Sequence, residues 1–182
     1  MKAPLVFLLT FISFFLSATV IAQAVKLEKV RQQFFEINEV KDGALNLYYR
    51  LKPLDLSGNP VLFAYRGACS AASAGSVSGV QKKLKYFNNG KDELERAVRQ
   101  MPNDPEIRFL RLATQLNAPG FLGYSSNTDN DKKVIVAALS KVSATDPNTY
   151  LYALIADYLL TTDSLSSSER QIIVHMKNRI GK

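Results

Sequence analysis

Apolar residues recur at spacings of three and four along most of this chain, which is the period of an α-helix. No stretch alternates cleanly between apolar and polar residues in the way that a half-buried strand does. Turn-forming segments such as NNG (88–90) separate the periodic runs. The pattern therefore predicts an all-α fold. Helices are expected near residues 25–39, 41–52, 60–74, 79–88, 91–101, 105–117, 128–142, 147–161 and 167–180.

Three of these predicted helices begin with the same signal, an N-cap residue followed by proline at the first helical position. The pairs are Asn59-Pro60, Asp104-Pro105 and Asp146-Pro147. The prolines lie 45 and 42 residues apart, and the segments that follow them align without gaps. This spacing predicts a weak repeat of two-helix units starting near 60, 105 and 147. Because such units bury their apolar faces by stacking, we expect a right-handed stack of helical hairpins in a single domain.

Residues 88–117 are loosely similar to tetratricopeptide repeats. The positions that match the second helix of that repeat are Gly90, Leu94, Ala97 and Pro102. Two features depart from the pattern: Arg108 replaces the usual aromatic residue, and the spacing exceeds the period of about 34 residues. The resemblance implies a similar stack of helical pairs and no activity.

The first 22 residues have a different pattern, in which Lys2 precedes an apolar run from Leu5 to Ala22. This order is typical of a secretory signal peptide and predicts a periplasmic or secreted protein. We favour cleavage after Ala22, and an A-x-A interpretation would place it after Ala24. An uncleaved anchor is the alternative, because the run approaches the roughly 20 apolar residues that span a bilayer. Cleavage would leave residues 23–182 as a single helical domain without stable membrane insertion.

The charge of the mature chain limits the classes of partner. Without Lys2, 22 basic and 16 acidic residues remain, a net charge of +6. The excess is spread along the chain without a run of five or more like charges, so we expect no nucleic-acid partner. A protein or peptide partner in the cell envelope is expected instead.

A second resemblance rests on a set of motifs in a fixed order. They are AYRGA (64–68), KLKYFNNGKDELERAV (83–98), EIRFLRL (106–112), PGFLGY (119–124) and DKK (131–133). This set resembles exported, uncharacterised helical proteins of Bacteroidota. The resemblance implies export and an all-helical fold, and it provides no activity or catalytic residue to transfer.

The predicted helix at 105–117 has an unusual polar face. At 100 degrees per residue, Arg108, Arg111 and Gln115 occupy a narrow wedge between two apolar sectors. A thin polar face of this kind predicts a central helix that is buried on both sides. In the preceding proline helix, Arg66 begins a similar thin stripe with two serines.

Two hypotheses explain these arginines. In the first, Arg66 or Arg111 binds Asp157, Glu106, Glu95 or backbone carbonyl groups and fixes the register of the stacked helices. In the second, they line an open groove and bind a small acidic ligand or acidic peptide through forked hydrogen bonds. The candidate binding residues are Arg66, Arg108, Arg111, Gln115, Tyr65 and Tyr124. Phe121 and Tyr124 either close a loop over that groove or fix an interhelix loop to the core.

Few residues suit catalysis. His175 is the only histidine, and Cys69, the only cysteine, lies among small residues as a buried hydrophobe would. Acidic pairs such as Asp129 and Asp131 lie beside helix starts, where they suit the helix dipole. We therefore expect no enzyme activity, no cofactor, no metal site and no catalytic residue.

Overall fold

The computed structural model describes residues 26–181, and the signal peptide predicted for residues 1–22 lies outside this range. The described residues form eight α-helices and two short 3-10 turns, and they contain no β-strand. The prediction of an all-α fold is therefore confirmed. The helices are α1 (Leu27–Phe35), α2 (Gly43–Leu51), α3 (Pro60–Ala72), α4 (Val80–Gln100), α5 (Pro105–Asn117), α6 (Thr128–Leu139), α7 (Thr149–Thr161) and α8 (Ser167–Ile180). The 3-10 turns are Ser73–Gly75 and Gly120–Leu122.

Side-chain caps fix the starts of three helices. In each, the side chain of the N-cap residue accepts a hydrogen bond from the backbone N–H three residues later, which satisfies one of the free donors at a helix start. The acceptor and donor pairs are Asn59 with Leu62 at 3.0 Å, Asp104 with Ile107 at 2.9 Å, and Ser166 with Glu169 at 3.3 Å. Pro60 and Pro105 are the first helical residues, as predicted.

The prediction that Pro147 is the first residue of a helix is wrong. Residues 147–148 form a turn, and α7 begins at Thr149 with Asn148 as its N-cap. The Asp146 side chain accepts from the Asn148 N–H at 2.8 Å, and the Asp146 carbonyl accepts from the Thr149 N–H at 3.2 Å. Both acceptors of Asp146 therefore stabilise a turn that ends before the helix.

The helices predicted at 79–88 and 91–101 are one helix, α4, so the turn predicted at NNG is wrong. Gly90 is buried where α4 crosses α3. A Cβ atom at Gly90 would collide with the Gly67 carbonyl oxygen and the Ala71 amide nitrogen of α3. Gly90 therefore allows the two backbones to approach closely, and it is a packing residue rather than a helix end.

Consecutive helices pack against each other in pairs: α1 with α2, α3 with α4, α5 with α6, and α7 with α8. Helix α3 also contacts α1, α2 and α5, and α8 also contacts α6. The main apolar core contains residues from all eight helices, including Val30 of α1, Ile107 of α5 and Ile173 of α8, each fully buried. None of the helices between Lys26 and Gly181 is both long enough and apolar enough to cross a membrane.

A smaller apolar cluster lies beside the main core. It contains Ala71 of α3, Phe87 of α4 and Tyr124 of the loop after α5. The Phe87 and Tyr124 rings meet edge to face with centroids 5.9 Å apart. Residues of this cluster and of the main core both line the groove described below.

Candidate functional site

Three of the predicted site residues converge on one buried carboxylate. Asp131 of α6 is fully buried and accepts hydrogen bonds from Arg108 at 2.7 Å, from Arg111 at 2.7 and 2.8 Å, and from Gln115 at 2.8 Å. The three donors lie on α5 at spacings of three and four, which places them on one face of that helix. We call these four residues the Asp131 cluster, and it joins α5 to α6.

The Asp131 cluster extends to α4 and to the loop after α5. Arg111 donates to Glu95 at 2.8 Å, and the Tyr124 hydroxyl donates to the other oxygen of the same carboxylate at 2.8 Å. Arg108 also donates to the Pro102 carbonyl at 2.7 Å. Arg108 and Arg111 are 7% and 4% exposed, so their charged groups face these partners rather than solvent.

A second buried network contains Glu106 at the start of α5. Both Glu106 oxygens accept from Arg31 of α1, at 2.7 and 2.6 Å, in a forked pair. Tyr65 of α3 donates its hydroxyl to Glu106 at 2.7 Å and is completely buried. This network therefore joins α1, α3 and α5 through one carboxylate.

Arg66 of α3 makes a third internal contact. Its guanidinium binds Glu93 of α4 at 2.9 to 3.1 Å and donates to the Leu54 carbonyl at 3.3 Å. It also lies over the Phe63 ring at 4.9 Å from the centroid. Arg66 is thus partly buried and engaged on the α3–α4 contact.

Burial and the neighbouring carboxylates shift the pKa values of three hydrogen-bond donors in these networks. Burial alone lowers the pKa of Arg111, but Asp131 and Glu95 outweigh it and raise that pKa. Burial raises the pKa of Tyr124, and its hydrogen bond to Glu95 raises it further. Burial and the neighbouring Glu106 carboxylate likewise raise the pKa of Tyr65. Both tyrosines therefore remain protonated donors well into the alkaline range.

These contacts favour the first hypothesis for the arginines. Glu95 binds Arg111, and a backbone carbonyl binds Arg66, as that hypothesis expects. Two other expected partners differ, because Glu106 binds Arg31, and Asp157 binds Lys177 at the surface. Arg108 and Arg111 are buried, and Arg66 is partly buried against Glu93. The acidic-ligand hypothesis stays a prediction.

The sequence interpretation missed two of the carboxylates that matter, Asp131 and Glu93. Asp131 was attributed to the helix dipole at the start of α6. It also precedes Ile135 and Leu139 at spacings of four, on the buried face of that helix. The sequence did contain a signal for the contact of Asp131 with α5. It has an acidic residue on the apolar face of α6 and two arginines on the thin polar face of α5.

A feature that the sequence interpretation missed altogether is a large apolar groove of about 700 Å³. It is lined by small and aromatic side chains of α1, α3, α4, α5 and α7 and by the Gly120–Leu122 turn. The principal lining residues are Phe34, Phe35, Ala68, Ala71, Ala72, Phe87, Phe109, Ala113, Ala118 and Tyr158. This volume lies in the range of sites that bury small ligands, roughly 300–1,000 Å³.

Large apolar side chains stand in solvent at the rim of this groove. Phe121 is 85% exposed and Val80 is 74% exposed, and Leu84 is exposed on the next turn of α4. Val80, Leu84 and Phe87 lie at spacings of four and three, so the first two turns of α4 present one apolar stripe to the groove. We call Val80, Leu84 and Phe121 the apolar rim.

Phe121 and Tyr124, for which the sequence left open closing a groove or fixing the loop to the core, have different positions. Tyr124 is 5% exposed and fixes the loop to the core through Glu95 and Phe87. Phe121 does not pack into the core and lies at the rim of the groove. Gly123 has a φ of 60°, in the left-handed region, and this glycine reverses the chain between the two residues.

The remaining reactive side chains are isolated. Cys69 is fully buried, and burial raises the pKa of its thiol, which opposes formation of a reactive thiolate. His175 is exposed on α8. Within residues 26–181, no three His, Cys, Asp or Glu side chains are grouped so that they could hold a metal ion.

Comparisons with known proteins gave no match to a family model, a curated protein or a solved structure. The resemblance to exported proteins of Bacteroidota therefore stays a prediction. The candidate site rests on the geometry of this chain alone.

Proposed function

We propose that this chain is an exported, non-enzymatic interaction module built from stacked helical hairpins. Its partner is a protein or peptide of the cell envelope, which places apolar side chains on the apolar rim and into the mouth of the groove. The observation that supports this proposal is the groove itself, a large apolar concavity with exposed Phe121 and Val80 beside it. Exposed apolar groups around a concave site are typical of surfaces that bind a partner.

The arrangement as a stack of repeats is part of the proposal. It is supported by the pairing of α3 with α4, α5 with α6 and α7 with α8, and by the matched N-caps of α3 and α5. In a stack of this kind, the internal arginine networks join neighbouring hairpins. Arg111 with Glu95 is one such link, between α5 and α4, and Arg31 with Glu106 joins α1 to α5. Arg66 with Glu93 joins the two helices of a single hairpin.

The internal networks favour rigid presentation of the groove over catalysis. Every buried side-chain nitrogen or oxygen atom among the described residues has a hydrogen-bond partner. A catalytic carboxylate or arginine would need an accessible functional group, whereas Asp131 and Arg111 are enclosed by partners. We therefore assign these residues to holding the helices that form the groove.

The proposal is tested by filling the groove. Ala72 lines the groove and is exposed, so Ala72→Trp blocks its mouth without filling the core. A photoreactive residue replaces Phe121, and photo-crosslinking is carried out in an envelope fraction. This identifies the partner that the chain binds when Ala72 is unchanged. We expect Ala72→Trp to reduce recovery of that partner by about tenfold, because an occupied pocket excludes apolar side chains.

The matched control is Ala137→Trp. Ala137 is an exposed alanine of α6, a helix that contributes no residue to the groove. Thermal melting of both variants should match that of the parent chain. Equal recovery of the partner by Ala72→Trp and Ala137→Trp would show that the groove is not the binding site.

A further inference from the structure

Most of the side chains that line the groove are apolar. Two of its polar side chains are already engaged: Thr114 donates to the Leu110 carbonyl at 2.8 Å, and Asn117 donates to the Ala113 carbonyl and to Tyr158 at 2.8 Å each. An extended peptide backbone would lose its hydration there without replacement. A hydrocarbon chain has no such groups to satisfy, and it gains from leaving water.

The charge at the groove is of one sign. Lys83 is the only charged residue that lines the groove among residues 26–181, and Lys82 and Lys85 lie exposed on the same turns of α4. The segments 56–91 and 107–128, which form most of the groove, contain no aspartate or glutamate, and Glu36 in the third segment, 34–38, does not line it. An occupant with one negative end therefore meets a cation at the rim and no opposing carboxylate from these segments.

The start of α4 adds to this positive field at a cost to the helix. Helix starts favour acidic side chains because the helix dipole is positive there, yet the first turn of α4 has none. Its N-cap, Gly79, offers no side chain to accept a hydrogen bond. Lysines at a helix start without a side-chain cap are unfavourable for the helix. Sequences depart from local helix preferences in this way at functional sites.

We propose that the deep part of the groove binds a single-chain anionic amphiphile, such as a long-chain fatty carboxylate. Its hydrocarbon chain lies between α3, α4 and α5, over Ala71 and Phe87, and its carboxylate lies beside Lys83. The inference uses the groove of the proposed function, and it does not require that the rim binds a protein.

The probe is decanoate, titrated by calorimetry into the chain from residue 23 onward and kept below its micelle concentration. Decyltrimethylammonium is the matched cation with the same hydrocarbon chain. We expect one decanoate per chain, bound about fivefold more tightly than the cation, as a solvent-exposed ion pair gives. Dodecanoate should bind about tenfold more tightly than decanoate, because two more methylenes leave water.

Two substitutions test the two halves of the site. Lys83→Glu should weaken decanoate binding about fivefold or more and remove its advantage over the cation. Lys141→Glu makes the same charge change outside the groove and should leave both affinities unchanged. Ala72→Trp should abolish binding of both amphiphiles, because the indole blocks the mouth through which the hydrocarbon chain enters the groove.

Three results overturn the inference: no saturable decanoate binding, binding that Ala72→Trp leaves unchanged, or equal affinity for the two head groups that Lys83→Glu does not alter. Partner recovery through Phe121 without amphiphile binding contradicts the inference and leaves the proposed function in place. Amphiphile binding together with partner recovery that Ala72→Trp does not reduce contradicts the proposed function alone.

Discussion

Asp131 is the residue on which the internal network depends most. Its buried carboxylate balances Arg108 and Arg111, which have little access to water. Asp131→Asn removes that charge and leaves two guanidinium groups buried without adequate compensation. We expect the free energy of unfolding to fall by about 3–5 kcal/mol, measured by urea denaturation.

The control for this prediction lies two residues away. Asp129 is exposed and pairs with Lys132 across one turn of α6, and surface pairs of this kind contribute about 0–1 kcal/mol. Asp129→Asn should therefore have little effect. An equally small effect of Asp131→Asn would contradict a structural role for the Asp131 cluster and reopen the question of an acidic ligand for its arginines.

At the residue scale, the sequence predicted which side chains are unusual better than it predicted their partners. The narrow wedge on α5 correctly indicated that Arg108 and Arg111 are buried, because it follows from helical geometry alone. The partner Asp131 depends on how α6 rotates against α5, which local spacing does not determine. The exposure of Ala72 was missed, and two roles stayed open for Phe121, because exposure is a property of several elements together.

The contact between α3 and α4 depends on Gly90 at the scale of the element. Gly90→Ala places a Cβ atom against the backbone of α3, so the two helices must move apart. We expect a loss of about 1–3 kcal/mol in the free energy of unfolding, even though alanine favours the helix itself. Gly58→Ala, where a Cβ atom meets nothing within 4 Å, should be neutral or slightly stabilising in the same assay. A stabilising effect of Gly90→Ala would mean that the close approach is absent.

Element boundaries show where a local signal misleads. Asn88, Asn89 and Gly90 together are typical of a turn, and that local preference was outweighed by packing of α4 across α3. Pro147 is compatible with a first helical position, but the hydrogen bonds of Asp146 stabilise a turn instead. By contrast, Asn59 and Asp104 act as caps in both sequence and structure, because the cap and its donor lie within three residues.

At the scale of the whole molecule, the helical class was predictable and the groove was not. The hydrophobic period and the N-cap residues depend only on nearby positions in the sequence, so they identify the helices. A cavity is the space that several helices leave between them, and the sequence shows it only indirectly, through small residues on α3 and apolar residues at the uncapped start of α4. The same helices that the arginine networks hold together therefore define a site that the arginines themselves do not line.

The buried tyrosines make the stability of the whole molecule sensitive to alkali. The pKa of Tyr65 and of Tyr124 is raised by burial and by a neighbouring carboxylate, whereas in the unfolded chain both ionise near pH 10. Below pH 10 both states hold these protons, so the contribution to stability is complete there. Above pH 10 the unfolded state loses protons that the folded state keeps, and each tyrosine lowers the free energy of unfolding by up to about 1.4 kcal/mol per pH unit.

Tyr124→Phe keeps the ring against Phe87 and removes one of these protons. Urea denaturation between pH 9 and about pH 11.5 should therefore show a shallower decline in the free energy of unfolding. Tyr150→Phe, at an exposed position, should follow the parent chain, and an unchanged slope for Tyr124→Phe would show that its hydroxyl is accessible to solvent.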